Sequence, residues 1–157
     1  MDPQTFIIIS QALLELTKAK HCVDLLPPEA LSVFSRLKVA YDGKDIKSLG
    51  RCFAENYKGD FYGAESKGEL LAVFGDLFGQ FPFFMSPDLT IVVHGVGEQT
   101  RKTFEAIVSF NARSAIGGWP IPYADFATGR VVCRIEPCGN GPAMWLITKL
   151  DHDEEDE

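Results

Sequence analysis

The chain has no excess of positive charge, so it lacks the usual means of neutralising a nucleic-acid backbone. Its 157 residues carry a formal net charge of −7, and six of the acidic residues lie among the last seven positions. The rest of the chain is therefore nearly neutral, with a net charge of −1. We expect no nucleic-acid partner, and we interpret residues 151–157 as an acidic, disordered tail.

Long apolar runs and patterned cysteines are also missing. The only early apolar run, residues 6–9, lacks the basic flank and cleavage site of a secretory signal and is too short to cross a membrane. Cys22, Cys52, Cys133 and Cys138 show no spacing typical of a metal site or redox pair. No phosphate-binding loop or nucleophile elbow is present. These absences predict a cytoplasmic protein with reduced thiols, no membrane contact, no metal and no cofactor.

What the chain does contain is a first half with helical periodicity. Asp2-Pro3 can begin a helix that continues to about Lys20. Its apolar residues recur at helical spacing: Phe6, Ile9, Leu13 and Leu16. A break follows at residues 21–27, and Pro28 can begin the next helix. We interpret residues 1–27 as an N-terminal helical extension.

Three more helices are predicted before residue 82. One extends from Pro28 to Gly43, with an apolar stripe along one side. A short one follows its cap at Asp45 and carries Ile46, Leu49 and Phe53. The last begins with a capping box formed by Ser66 and Glu69.

From residue 89 onward the period changes from helical to alternating. Strands are predicted over residues 89–94, 104–113, 123–136 and 143–150, with the third bent or divided near Thr128-Gly129. Residues 95–101 are predicted to form a turn. Helices followed by alternating strands indicate an α+β fold, in which a curved and mostly antiparallel sheet wraps around the helices.

Three short segments in this order resemble a known family. They are Tyr41-Asp42-Gly43-Lys44-Asp45-Ile46, then Phe53-Ala54-Glu55, then Asp60-Phe61-Tyr62-Gly63. This pattern resembles the cone-shaped fold of the nuclear transport factor 2-like superfamily, which includes ketosteroid isomerase and the SnoaL-like cyclases. The resemblance covers about residues 31–150, and it implies one such domain over residues 28–150.

The resemblance implies one candidate catalytic residue, and the strand pattern adds a second. Asp60 takes the place of the isomerase general base, and His94 is a second acid–base candidate at a strand. The isomerases carry a donor tyrosine on the preceding helix, where this chain offers Leu37, Lys38 and Val39. A base without donors for the enolate oxygen argues against isomerase chemistry.

Aromatic residues are the candidates for ligand contacts at the mouth of a cone: Tyr57, Tyr62, Trp119, Tyr123 and Trp145. Two function classes stay open. The first is a domain that binds a small apolar ligand or serves as a dimeric scaffold. The second is a small acid–base enzyme, an isomerase, cyclase or dehydratase, acting on an apolar carbonyl compound. A homodimer through the sheet is expected, because the outward strand residues include apolar side chains.

Overall fold

The computed structural model describes residues 26–100, 102–123, 125–138 and 145–152. The predicted first helix, Cys22 and residues 153–157 lie outside this described part. Within it, no helix combines the length and apolarity that crossing a membrane requires.

Three α-helices come first in the described chain, as predicted. They are α1 (Pro28–Asp42), α2 (Ile46–Gly50) and α3 (Lys67–Gly79), and a short 3-10 turn covers Phe61–Gly63. Pro28 occupies the first turn of α1, where its missing N–H costs nothing. Asp45 caps α2 by accepting a hydrogen bond from the Ser48 N–H.

The capping box predicted for α3 forms in a modified way. The Ser66 hydroxyl accepts from the Glu69 N–H at 3.2 Å. The Glu69 carboxylate reaches one residue further back than expected and accepts from the Glu65 N–H at 2.7 Å. Both contacts stabilise the first turn of α3, whose inner side carries Leu70, Phe74 and Phe78.

Over the described residues, the helices pack against a seven-stranded mixed sheet that is not closed. Its strands are β1 (Phe53–Gly59), β2 (Ser86–Gln99), β3 (Phe104–Ile116), β4 (Trp119–Pro120), β5 (Phe126–Ala127), β6 (Val131–Pro137) and β7 (Trp145–His152). The order is β1-β7-β6-β3-β2, with β4 and β5 beside β3. Only the β1–β7 pair is parallel among the described pairs. The predicted α+β cone with a mostly antiparallel sheet is confirmed.

Three predicted boundaries were wrong. Phe53 begins β1 rather than ending α2, because its backbone pairs with Ile147 of β7. Residues 95–99, which the sequence predicts to be part of a turn, belong to β2. The strand continues through the glycines in this stretch by means of two register irregularities. Strand β7 continues to His152, so Asp151 and His152 lie in the sheet and not in a disordered tail.

Alternation places one face of the sheet on the helices. Leu89, Ile91 and Val93 of β2 are buried on this concave face, whereas His94 on the other face is exposed. Helix α1 packs against β2 and β7, and α3 packs against β1 and α2. The core therefore lies between α1, α3 and the concave face of the sheet.

Candidate functional site

A narrow apolar cavity lies inside the core, between the helices and the sheet. Six aromatic residues form most of its wall: Tyr41, Phe53, Phe61, Phe74, Phe110 and Phe126. Leu37, Leu89 and Leu150 complete it among the described residues. The free volume of this cavity is only about 20 Å³. Side chains thus nearly fill the cone, and a bound molecule requires some of them to move.

Among the described residues of this wall, Tyr41 alone has a polar side-chain group, its hydroxyl. The apolar stripe of α1 turns Tyr41 inward, and the residue is 2% exposed. Its ring packs edge-on against Phe74 and Phe78, with centroids 5.8 and 5.1 Å away. Among the described residues its hydroxyl has no hydrogen-bond partner. Burial raises the pKa of Tyr41, so the hydroxyl stays protonated and can donate.

Two aromatic side chains, Tyr62 and Phe126, lie between this cavity and a neighbouring hollow. Tyr62 and Phe126 meet edge-on with ring centroids 6.0 Å apart. Tyr62 has a left-handed backbone (φ 50°) and Gly63 follows with φ 76°, so the short turn holds the Tyr62 ring on the surface, where it is 51% exposed. Outside them lies an open hollow of about 330 Å³ that shares Phe74 and Phe126 with the cavity. Asp76 and Gln80 line this hollow.

Close to the cavity, a buried lysine forms a charged cluster. The Lys38 ammonium donates to the carboxylates of Asp42 and Asp88, at 2.8 and 2.9 Å, and to the Leu89 carbonyl oxygen at 2.6 Å. Asp42 also accepts from the Leu89 N–H at 2.8 Å. Burial raises the pKa of Asp42 to about 6, against the effect of Lys38. None of these charged groups lines the cavity; they join α1 to the start of β2.

The two catalytic candidates lie apart from the cavity. Asp60 is exposed at the end of β1, and its carboxylate accepts a hydrogen bond from the backbone N–H of His152 at 2.9 Å. His94 is exposed on the convex face, with its Nε2 2.7 Å from the Ser109 hydroxyl. Neither residue lines the cavity, so the structure does not bring them together as an acid–base pair.

The five aromatic candidates are dispersed. Tyr62 alone reaches the mouth of the cavity. Tyr57 is buried in the core, where its hydroxyl donates a long hydrogen bond of 3.5 Å to the Leu150 carbonyl. Trp119 and Tyr123 are exposed, with the Tyr123 hydroxyl bound to the Gln80 carbonyl. Trp145 is half-buried beside α1.

The described residues hold no cluster of three or more histidine, cysteine or acidic side chains that would suit a metal ion. Cys52 and Cys133 are buried free thiols. Burial raises the pKa of Cys52 to about 11, and it raises that of Cys133 as well. Neither thiol is activated as a nucleophile.

Comparison with solved structures identifies the architecture. One match is an NTF-2 like protein of unknown function from Shewanella oneidensis, with TM-score 0.56 and 9% identity over 78% of this chain and 94% of that one. Another is a ketosteroid isomerase-like protein from Erwinia carotovora atroseptica, with TM-score 0.53 and 13% identity over 76% and 88%. This chain has the nuclear transport factor 2-like fold.

A third structure with this fold, from Catenulispora acidiphila, is in complex with S-DNPA; it has TM-score 0.58 and 9% identity over 81% of this chain and 92% of that one. No protein-family model and no curated protein sequence matches the chain. The likeness therefore establishes the fold of this protein, and its residues must supply the argument for its function.

Two residues of the nuclear transport factor 2-like cone escaped the sequence prediction. The sequence places Tyr41 in the first of the three family-like segments, but a tyrosine among the inward positions of a helix also carries a hydroxyl that needs a partner. The sequence predicts Phe126 within the strand over residues 123–136, whereas the residue belongs to the two-residue strand β5 beside β3. The first had a signal in the sequence; the second depends on how the strand divides.

Proposed function

We propose that the domain binds a small apolar molecule inside its cone and donates a hydrogen bond from Tyr41 to one acceptor atom of that molecule. The observation that carries this proposal is the Tyr41 hydroxyl, buried without a partner among the described residues in an apolar wall. An unmade hydrogen bond of a buried hydroxyl costs roughly 1–3 kcal/mol. A ligand carbonyl or ether oxygen at this position removes that cost.

The ligand enters between Tyr62 and Phe126. These two rings cover the cavity, and the adjoining hollow of about 330 Å³ offers space outside them. Phe126 is half-buried and belongs to a strand of two residues, so its displacement breaks few backbone contacts. The bound state is thus an enlarged form of the cavity.

Binding is favoured over catalysis by what the cavity wall contains. Its described residues include no carboxylate and no imidazole, and Asp60 and His94 lie elsewhere. Proton transfer beside a carbonyl needs a base within hydrogen-bond reach of the substrate. Tyr41 alone supplies a donor. The complex of the Catenulispora acidiphila structure with S-DNPA supports a binding role for such a cone.

The test uses two probes of nearly equal shape, acetophenone and α-methylstyrene, in which a CH2 group replaces the carbonyl oxygen, so that only acetophenone carries a hydrogen-bond acceptor. Backbone amide NMR titration of the wild type should show saturable shifts around Tyr41, with acetophenone binding about tenfold more tightly, or roughly 1.4 kcal/mol. Tyr41→Phe should abolish this preference, and Phe126→Ala should tighten the binding of both probes. Equal affinities in the wild type, or no saturable binding in Phe126→Ala, would refute the proposal.

We further propose that two copies pair through the convex face of the sheet. Val92, Ile107 and Val132 lie half-buried on this face, across the neighbouring strands β2, β3 and β6. Burial of apolar side chains at the centre of a sheet face by a second copy of the chain stabilises the dimer. Ile107→Glu should convert a dimer to a monomer in light scattering, whereas Arg113→Glu, at an exposed position nearer the strand end, should not. A monomeric wild type at micromolar concentration excludes this pairing.

A further inference from the structure

A second, larger depression lies on the opposite side of α1 from the cone. It is a groove of about 560 Å³ between α1 and α2, with a mostly apolar surface. Leu31, Ser35 and Val39 line it from α1, Ser48 lines it from α2, and Arg51 and Cys52 line it from the turn after α2. We call it the α1–α2 groove. It is separate from the aromatic cavity, since none of these residues lines that cavity.

The groove has the form that a helix requires. Leu31, Ser35 and Val39 are spaced by four residues, so they form a continuous ridge along α1. The lining continues from Pro28 to Ala40, a rise of roughly 18 Å at 1.5 Å per residue. Val39 is 37% exposed, although its neighbours Ser35 and Ala40 on the groove wall are buried. A straight apolar trough of this length accepts the apolar face of another helix.

The segment that precedes α1 is suited to that place. Its predicted helix, residues 2–20, has apolar residues on one face: Phe6, Ile9, Leu13 and Leu16. At 1.5 Å per residue it spans roughly 28 Å, enough to cover the trough. Leu26 is 6% exposed and belongs to the core, so the chain is anchored immediately before Pro28, which lies at one end of the groove. The few residues between Lys20 and Leu26 match the short connections of antiparallel helix pairs.

We propose that residues 2–20 form a helix that lies antiparallel to α1 in the α1–α2 groove of the same chain. Phe6, Ile9, Leu13 and Leu16 face Leu31, Val39 and the apolar part of the trough. Ser35 and Ser48 leave room at the centre because their side chains are small. The extension thereby covers apolar surface of the cone domain and braces α1, the helix that carries Tyr41.

Hydrogen–deuterium exchange of the full-length chain, read by mass spectrometry, tests this arrangement. Peptides from residues 6–20 should be protected in the wild type. Val39→Asn should accelerate their exchange by about tenfold or more, since it places an amide in the apolar trough. Ile46→Asn is the matched control, because Ile46 is also 37% exposed and β-branched but does not line the groove.

A second pair of variants lies in the extension and leaves the cone domain unchanged. Leu13→Asp should remove the protection of residues 6–20, and Gln11→Asp, on the opposite side of the predicted helix, should preserve it. Unprotected exchange in the wild type would overturn the proposal, as would equal protection in Val39→Asn, Ile46→Asn and Leu13→Asp. Protection that disappears on dilution would also overturn it, because the segment would then be bound by a second copy.

Discussion

Lys38 and Tyr41 lie one helical turn apart on α1, both are buried, and their polar atoms have opposite surroundings. The Lys38 ammonium has hydrogen bonds to Asp42, Asp88 and the Leu89 carbonyl. The Tyr41 hydroxyl has none among the described residues. Because the Lys38 ammonium has several hydrogen-bond partners within the fold, we infer that its role is structural. The contrast supports the proposal that the Tyr41 hydroxyl donates to a ligand.

The largest expected effect concerns the aromatic packing around Tyr41. Phe74 contacts the rings of Tyr41, Phe53, Phe61 and Phe78. Phe74→Ala should lower the free energy of unfolding by about 4 kcal/mol, because it removes a buried ring and leaves a cavity. Urea unfolding measures this change. A loss below about 2 kcal/mol would show that the side chains around Tyr41 move readily into the space left by the Phe74 ring. Their packing would then be looser than the structure indicates.

The second-largest expected loss in the free energy of unfolding concerns the ion pairs of Lys38. Lys38→Met should cost about 3 kcal/mol, because Asp42 and Asp88 then face each other without their shared cation. Lys67→Met is the control, since Lys67 pairs with Glu55 at the surface and its loss should cost less than about 1 kcal/mol. Equal costs for the two variants would contradict a structural role for the Lys38 cluster.

The ionisation of Asp42 provides a pH test of the same cluster. Its pKa is raised from 3.8 to about 6, chiefly by burial. The folded state therefore binds this proton more tightly than the unfolded state, and the resulting stabilisation is full below pH 3.8 and is lost as the pH rises through 6. Relative to Asp42→Asn, the wild type should lose about 3 kcal/mol between acidic and neutral pH.

Chemical unfolding of the wild type and Asp42→Asn over that pH range measures the difference directly. The opposite slope would mean that the Lys38 ammonium and the Leu89 N–H outweigh burial. The carboxylate would then be well paired instead of costly to bury. Neither sign of the pH slope bears on Tyr41, because its hydroxyl does not titrate in this range.

The sequence predicted the layers of the molecule well because they depend on periodicity. The buried stripe of α1 and the alternation of β2 both follow from spacing along the chain. The exposed positions of Asp60 and His94 do not, since they depend on which face each strand presents and on pairing with distant residues such as His152 and Ser109. The lack of a partner for Tyr41 is a property of the packed core, and spacing along one helix contains no information on it.

The smallest expected effect comes from a comparison of two buried tyrosines, Tyr41 and Tyr57. It tests most directly whether the Tyr41 hydroxyl lacks a partner in the folded protein. Tyr41→Phe should leave stability unchanged or raise it by up to about 1 kcal/mol, because it removes a hydroxyl with no partner among the described residues. Tyr57→Phe should lower stability by about 0.5–1 kcal/mol, because the Tyr57 hydroxyl donates to the Leu150 carbonyl. Thermal and urea unfolding of both variants, with the wild type alongside, decide the sign. If Tyr41→Phe is the more costly change, its hydroxyl has a partner in the folded protein, and the case for a ligand acceptor at that position fails.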